Sequence, residues 1–294
     1  MWALAANTSS PARVAPRDHA TIDLVANAAH GAAMRALMCF LSAGVLFWPS
    51  WASAQMQPHR AEYALRLGAA VNAPRVGTAV QDLTLGCDGW YLKRDVKGEI
   101  ALTASWKVNV ASTLDSEEQR TGNAFRYRAL QVQNGAERET RGKVQRAGGE
   151  LRAEIFSPAG PAQFLLPSPT LMPVASIDHM IARLRGGAAS FPALAFDAQV
   201  VGDAFLVAVS QLDPAVIRGP RPADKPVAVP GKSWPVLMSF TPGREQQQKP
   251  LFTVSARIFE SGILDRLTVE TGVATVTADL QVLEMRKPPS CPRS

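Results

Sequence analysis

The sequence predicts a single all-β domain of a dozen or more short antiparallel strands with one helix packed on it. Three observations carry this. Apolar residues recur at every second position in segment after segment, turn dipeptides separate those segments, and one stretch alone has convincing helical spacing. At 294 residues and 47% apolar content, the chain can also bury a sizeable core.

The first 54 residues do not read as part of that domain. From Met34 the sequence runs MRALMCFLSAGVLFWPSWASAQ, with Arg35 as a positive start and Ala36 to Trp48 as an apolar core. Ala52-Ser53-Ala54 supplies the small residues of a signal-peptidase site, so cleavage is expected before Gln55. The apolar core is shorter than the roughly 20 residues that span a bilayer, which argues against a retained anchor. Residues 1–33 are Ala-rich and unpatterned and read as a start-site extension ahead of a true start at Met34. Cys39 lies inside the apolar run rather than after it, so lipidation is not expected. The mature domain is residues 55–294.

Within it, His59–Leu67 alternates with Tyr63, Leu65 and Leu67 on one face, and Val76–Leu85 is a second strand. Asp88-Gly89 turns the chain into Trp90–Val96, and Lys97-Gly98 reads as another turn. Leu102–Val110 has the strictest alternation, placing Leu102, Ala104, Trp106, Val108 and Val110 on the apolar side. Asp115–Arg120 reads as a charged loop. Phe125–Val132 and Glu137–Arg146 flank Asn134-Gly135, a strong hairpin signal, and Gly148-Gly149 turns into Leu151–Phe156.

Ser157–Pro173 holds five prolines around the apolar Gln163–Leu166, the pattern of a connection with one short strand. Ser176–Arg185 is the helix, with Ser176 as cap, Asp178 in its first turn, Arg183 and Arg185 in its last, and Gly186-Gly187 as its stop. Strands resume at Leu194–Val201, Phe205–Leu212, Val236–Phe240, Leu251–Phe259, Ile263–Thr271 and Val273–Glu284. In the last of these, Ala274, Val276, Ala278, Leu280 and Val282 share a face. Asp213–Trp234 and Pro242–Pro250 are loops. So many antiparallel strands must close, coil or split into two sheets to manage their edges.

Once the signal is removed, Cys87 and Cys291 are the remaining cysteines. In an oxidising compartment such a pair forms a disulfide, expected here to restrain the ends of the strand order. Closing a loop of roughly 200 residues stabilises by about 5 kcal/mol at most in the chain-entropy account, and measured values cluster nearer 2–4. Neither cysteine has a C-x-x-C partner, which argues against thiol-redox chemistry.

Charge and motifs exclude more than they assign. Of 31 basic and 25 acidic residues, Arg13, Arg17 and Arg35 and Asp18 and Asp23 precede Gln55, so the mature chain holds 28 against 23, a net +5. That balance, without a basic stripe, does not suit nucleic acid. His59 and His179 are the mature histidines, and Asp178 beside His179 points away from it on a helix, so no catalytic residue is assigned. No Gly-x-Ser-x-Gly, His-Glu-x-x-His or phosphate-cradling motif occurs, and no metal or cofactor is expected. Arg138, Arg141, Lys143, Arg146 and Arg152 could meet anionic lipid, but interleaved Glu137, Glu139 and Glu150 favour a solvated face. Trp90, Trp106 and Trp234 could line a groove but read as core anchors.

Several short motifs, in order, resemble the envelope integrity protein B family of α-proteobacterial periplasmic proteins. They are a Tyr-x-Leu strand (Tyr63, Leu65), a Cys-Asp-Gly-Trp turn (Cys87 to Trp90), Ser112, Thr113 and Asp115, and Phe125 to Tyr127. Leu166, Pro167, Pro173 and His179 follow, then Phe196-Asp197 and Cys291-Pro292. The resemblance implies an open, spiralled β-barrel joined by a disulfide, a periplasmic location, and a role in cell-envelope maintenance without an established catalytic activity. Partners would then be envelope proteins or lipid and cell-wall components. Three readings stand at this point: a non-enzymatic envelope factor, which the sequence favours, a lipid or lipoprotein carrier using an apolar inner wall, and a hydrolase on an all-β scaffold.

Overall fold

In the computed structural model the described residues are 56–101, 107–199, 203–217, 227–242 and 249–291. Fourteen strands form one sheet among them. The first eight are β1 (His59–Leu67), β2 (Arg75–Leu85), β3 (Gly89–Ala101), β4 (Lys107–Gln119), β5 (Ala124–Gln133), β6 (Ala136–Ala147), β7 (Glu150–Ser157) and β8 (Gly160–Leu166). Helix α1 (Pro173–Arg185) follows. The rest are β9 (Ser190–Phe196), β10 (Ala204–Gln211), β11 (Ser233–Pro242), β12 (Phe252–Phe259), β13 (Leu264–Thr271) and β14 (Thr275–Met285).

The order is β8-β7-β6-β5-β4-β3-β2-β1-β14-β13-β12-β11-β10-β9, and every neighbouring pair is antiparallel. Strands adjacent in sequence are adjacent in space except β8 and β9, which form the two edges, and β1 pairs with β14 at the seam that joins the two halves of the chain. No ladder joins the edge strands β8 and β9, so the sheet is open. The connection after β8 lies along the other edge through a single parallel bridge, Leu171 with Ala195. The all-β, open, barrel-like expectation holds.

Alternation puts one row of side chains inside. Gln81 on β2 stands opposite Arg94 on β3, which stands opposite Leu114 on β4, which faces Ala129 on β5. The inner wall divides into three apolar clusters. One lies beneath α1 and gathers its Val174, Met180, Ile181 and Leu184 with Trp90, Phe205 and Trp234. A second surrounds Phe125, Tyr127 and Phe196 on the β4–β8 side, and a third surrounds Tyr63, Ile263 and Leu280 at the seam. Burying a side chain such as Phe205, 1% exposed, contributes roughly 1.5–3 kcal/mol.

Several sequence expectations change. Lys97-Gly98 is not a turn. It lies within β3, where Gly98 faces Gly77 on β2. A side chain at Gly77 would collide with the Lys97 carbonyl, so the paired glycines allow the two strands to approach closely. Asp115–Arg120 is not a loop, because β4 runs through to Gln119. Its outward Asp115 and Glu117 face Lys93 and Tyr91 on one side and Arg128 and Arg126 on the other, and Arg126 bonds Glu117. Lys107 to Val110 of the strictly alternating segment belong to β4, while residues 102–106, Trp106 among them, lie outside the described residues.

The strand expected over Leu194–Val201 starts at Ser190 and ends at Phe196, where Asp197 turns the chain. Its continuation at residues 200–201 lies outside the described residues. Val282 leaves the inner face. Between Glu62 and Tyr63 the register with β14 slips by one residue, so Gln281 is extra, Val282 turns outward and Leu283 turns in.

The disulfide between Cys87 and Cys291 is present, with Cα atoms 5.5 Å apart across 204 residues of sequence. Its place corrects an expectation. Cys87 follows β2 and Cys291 follows β14, and these strands flank β1. The bond staples the seam at the middle of the sheet and does not restrain the open edges. Arg286 reinforces it by pairing with Asp82 at 2.8 Å across the same strand.

Candidate binding cavity beneath the helix

Helix α1 begins three residues earlier than its sequence signals suggest, with Met172 as its cap residue and Pro173 at its first position. Proline suits that place because its missing N–H would be unpaired there anyway. Met172 cannot cap with its side chain. The carboxylate of Glu118, far away in sequence on β4, does so instead: Val174 N donates to Oε2 and Ala175 N to Oε1, each at 2.7 Å. Ser176, expected as cap, is inside the helix and donates its hydroxyl to the Pro173 carbonyl at 2.7 Å. Asp178, expected in the first turn, sits further along.

Glu118 is 3% exposed and stands between Trp90 on β3 and Phe125 on β5. Removal from water pushes its carboxyl up to about 7, Asp178 adds repulsion, and the two helix N–H groups pull the other way. A buried carboxylate thus positions the helix. The sequence signal for it was phase: Leu114, Ser116 and Glu118 lie on one side of an alternating strand.

Beside this contact, the N-terminal turn of α1, the inner faces of β2 to β5 and the segment after β9 enclose a cavity of about 140 Å³. Leu83, Leu92, Leu114, Phe125, Phe196 and Ile177 form its apolar walls, and Met56 and Gly262 close another side. Gln81, Arg94, Asp197 and Gln199 make one end polar. Gln199 organises that end. Its Oε1 accepts from Arg94 Nη2 at 2.6 Å, its Nε2 donates to Ser112 Oγ at 3.2 Å, and its carbonyl accepts from Gln131 Nε2 at 3.2 Å. Asp197 Oδ1 in turn accepts from the Gln199 backbone N–H at 2.6 Å. One residue after β9 thereby links β3, β4 and β5.

Tyr127, opposite Ser116 on β4, is buried against Phe125 and Phe196, with ring centroids 5.6 and 6.0 Å away. Burial and the nearby Asp197 charge push its hydroxyl up to about 12. Ser112, Phe125, Tyr127, Phe196 and Asp197, all among the motifs that carry the resemblance, therefore gather at one place. Gln199 and Glu118 belong to none of those motifs.

The other singled-out residues lie elsewhere. Trp90 and Trp234 are buried in the cluster under α1 and do not line the cavity. His179 is half-buried with its ring edge-on to Phe191, centroids 6.1 Å apart. His59 is fully buried, its Nδ1 donates to the Gln57 carbonyl at 2.7 Å, and burial lowers its pKa. The two histidines do not share a site. In the basic group, Lys143 pairs with Glu154 at 2.9 Å, Arg152 with Glu150 at 3.1 Å, Arg141 covers the Phe156 ring, and Arg146 donates to the Ser168 carbonyl at 2.8 Å. Arg138 is exposed. Among the described residues, no helix is long and apolar enough to cross a membrane.

Comparison with solved structures gives a crystal structure described as a β-barrel-like protein of domain of unknown function DUF1849 from Brucella abortus. It superposes with a TM-score of 0.67 at 18% identity, covering 79% of this chain and 99% of that one. At that identity the likeness concerns the fold. A search of curated proteins finds no match. The EipB-like family model matches residues 51–287, from just before the first described strand to just past β14. The chain belongs to the EipB-like family.

Proposed function

We propose that this protein is a periplasmic factor for maintenance of the cell envelope that acts by binding an envelope component or partner, without catalysing a reaction. The observation that carries the reading is the cavity of about 140 Å³ on the inner wall. A protein shaped only to be a stable scaffold gains by filling such space, because side chains around a void lose their dispersion contacts. Here the space is kept, lined by hydrocarbon on most sides, and given a polar end built by Gln199. Export to the periplasm follows from the signal sequence ahead of Gln55 and fits a disulfide between the two remaining cysteines.

The test is complementation. A strain lacking the gene should become sensitive to detergent and osmotic stress, and the wild-type gene should restore it. Leu114→Trp, which fills the cavity, should be exported and folded yet fail to restore resistance. Full rescue by that variant would remove the cavity from the function.

The split between apolar walls and a polar end also favours a more specific reading, that of a carrier for a lipid or the acyl part of a lipoprotein. Its test is co-purification. Protein isolated from the periplasm should bring an aliphatic ligand that organic extraction releases and the Leu114→Trp variant lacks.

A further inference from the structure

The polar end of the cavity is balanced in charge. Arg94 and Asp197 lie on the same wall, and the negative charge of Asp197 acts on Arg94. Gln199 engages both of them. Arg94 Nη2 donates to its Oε1 and Asp197 Oδ1 accepts its backbone N–H, each at 2.6 Å. Gln199 Nε2 donates to Ser112, and the Gln199 carbonyl accepts from Gln131. Glu118, at the border of the cavity, directs both carboxylate oxygens to the first turn of α1. A charged group entering this space would lose its water without finding an opposite charge to replace it.

Gln81 differs from these neighbours. It stands on β2 opposite Arg94 on β3 and Ala61 on β1, on the inner face that it shares with Leu83. It lines the cavity, and its side-chain amide has no hydrogen-bond partner among the described residues. A glutamine amide offers an acceptor oxygen and two donor hydrogens with no net charge. It can therefore accept from a hydroxyl or donate to a carbonyl oxygen.

From this arrangement we propose that the cavity binds an uncharged aliphatic ligand with one oxygen function, a hydroxyl or an ester carbonyl, held against Gln81, and its hydrocarbon along Leu83, Leu92, Leu114 and Phe125. The inference rests on the carrier reading and adds the chemical class of what is enclosed. Most of the wall is hydrocarbon, which suits a saturated chain. A cavity of about 140 Å³ is close in size to engineered apolar cavities that admit benzene, so the enclosed part has roughly six carbons. The balanced polar end gives no advantage to either sign of charge, and Gln81 supplies the one hydrogen-bonding group left to a neutral oxygen.

The experiment is titration calorimetry at neutral pH on protein purified from the periplasm. Hexanol, hexanoate and hexylammonium share one chain length and differ in charge, and benzene fills the same space without an oxygen. Hexanol should bind at least about tenfold more tightly than either ion, because each ion loses hydration without gaining a partner. It should also exceed benzene by about two- to tenfold, the effect of one neutral hydrogen bond. Gln81→Leu should remove that margin over benzene, and Leu114→Trp should block all four probes. Either ion binding as tightly as hexanol would overturn the ligand class while leaving the carrier reading standing. A Gln81→Leu variant that keeps the margin would overturn the role of Gln81. Failure of all four probes to bind would overturn both the inference and the carrier reading. If Gln81→Leu does not fold, the order of the probes on the parent and on Gln81→Met decides the question.

Discussion

Glu118 and Val174 are 56 residues apart in sequence, yet the carboxylate on β4 accepts the Val174 backbone N–H at 2.7 Å and, through its other oxygen, that of Ala175. The helix is therefore started by a strand, and the same contact borders the cavity. Glu118→Ala would leave two N–H groups of the first turn without an acceptor in a buried place. The expected loss is about 1–3 kcal/mol, measured by urea unfolding, with hydrogen exchange fastest in Val174 to Ile177. An unchanged midpoint would show that the helix is held by its apolar face alone.

The same residue sets a pH dependence with a definite sign. Its carboxyl is raised from 4.5 to about 7 in the fold. Folded protein thus binds the proton more tightly than unfolded protein does. The stabilisation is complete below about pH 4.5 and is lost as pH rises through 7, a change on the order of 3 kcal/mol. His59, whose pKa burial lowers, acts oppositely, since the fold loses stability as pH falls through the range where the unfolded imidazole takes its proton. The difference between parent and Glu118→Gln isolates the carboxyl. Melting curves from pH 4 to 8 should show the parent falling relative to the variant as pH rises, and parallel curves would refute the assignment.

At the seam, Asp279 is 2% exposed and receives Arg266 Nε at 2.5 Å, with Arg66 Nε at 3.6 Å. It joins β13, β14 and β1, the strands on which closure of the two halves depends. Asp279→Ala would leave arginine side chains with little solvent access and without this carboxylate. A loss of about 3–5 kcal/mol is expected, far more than for Asp115→Ala on the wet side of β4. Chemical unfolding of the two variants gives the comparison.

Replacing Cys87 and Cys291 by serine should lower stability by about 2–4 kcal/mol. Because the bond lies beside β1, early exchange should appear in the tail after β14 and in the β2–β3 turn, while β8 and β9 keep their parent rates. Selective loosening of β8 and β9 would mean that the staple acts on the edges after all. In cells the effect should be lower abundance.

Local chemistry determined most of the elements. Period-two alternation reports which residues face inward, so β1, β5, β6, β7 and β12 were legible to within a residue or two. Asn134-Gly135 and Gly148-Gly149 adopt the positive φ that their hairpin turns require. Cysteine count was enough to name the bonded pair. What tertiary structure decided is whatever depends on a partner distant in sequence. Gly98 reads as a turn until Gly77 is placed across from it, and Val282 reads as core until one extra residue at Gln281 shifts its phase. Glu118 reads as a loop charge until a helix N-terminus arrives to use it. The pairing of β1 with β14 puts the disulfide at the seam, and the turn after β9 brings Gln199 to Arg94. Hydrophobic period records only whether a residue faces inward. Which groups meet there is set by strand order and register, and these depend on pairings between segments that carry no mark of each other.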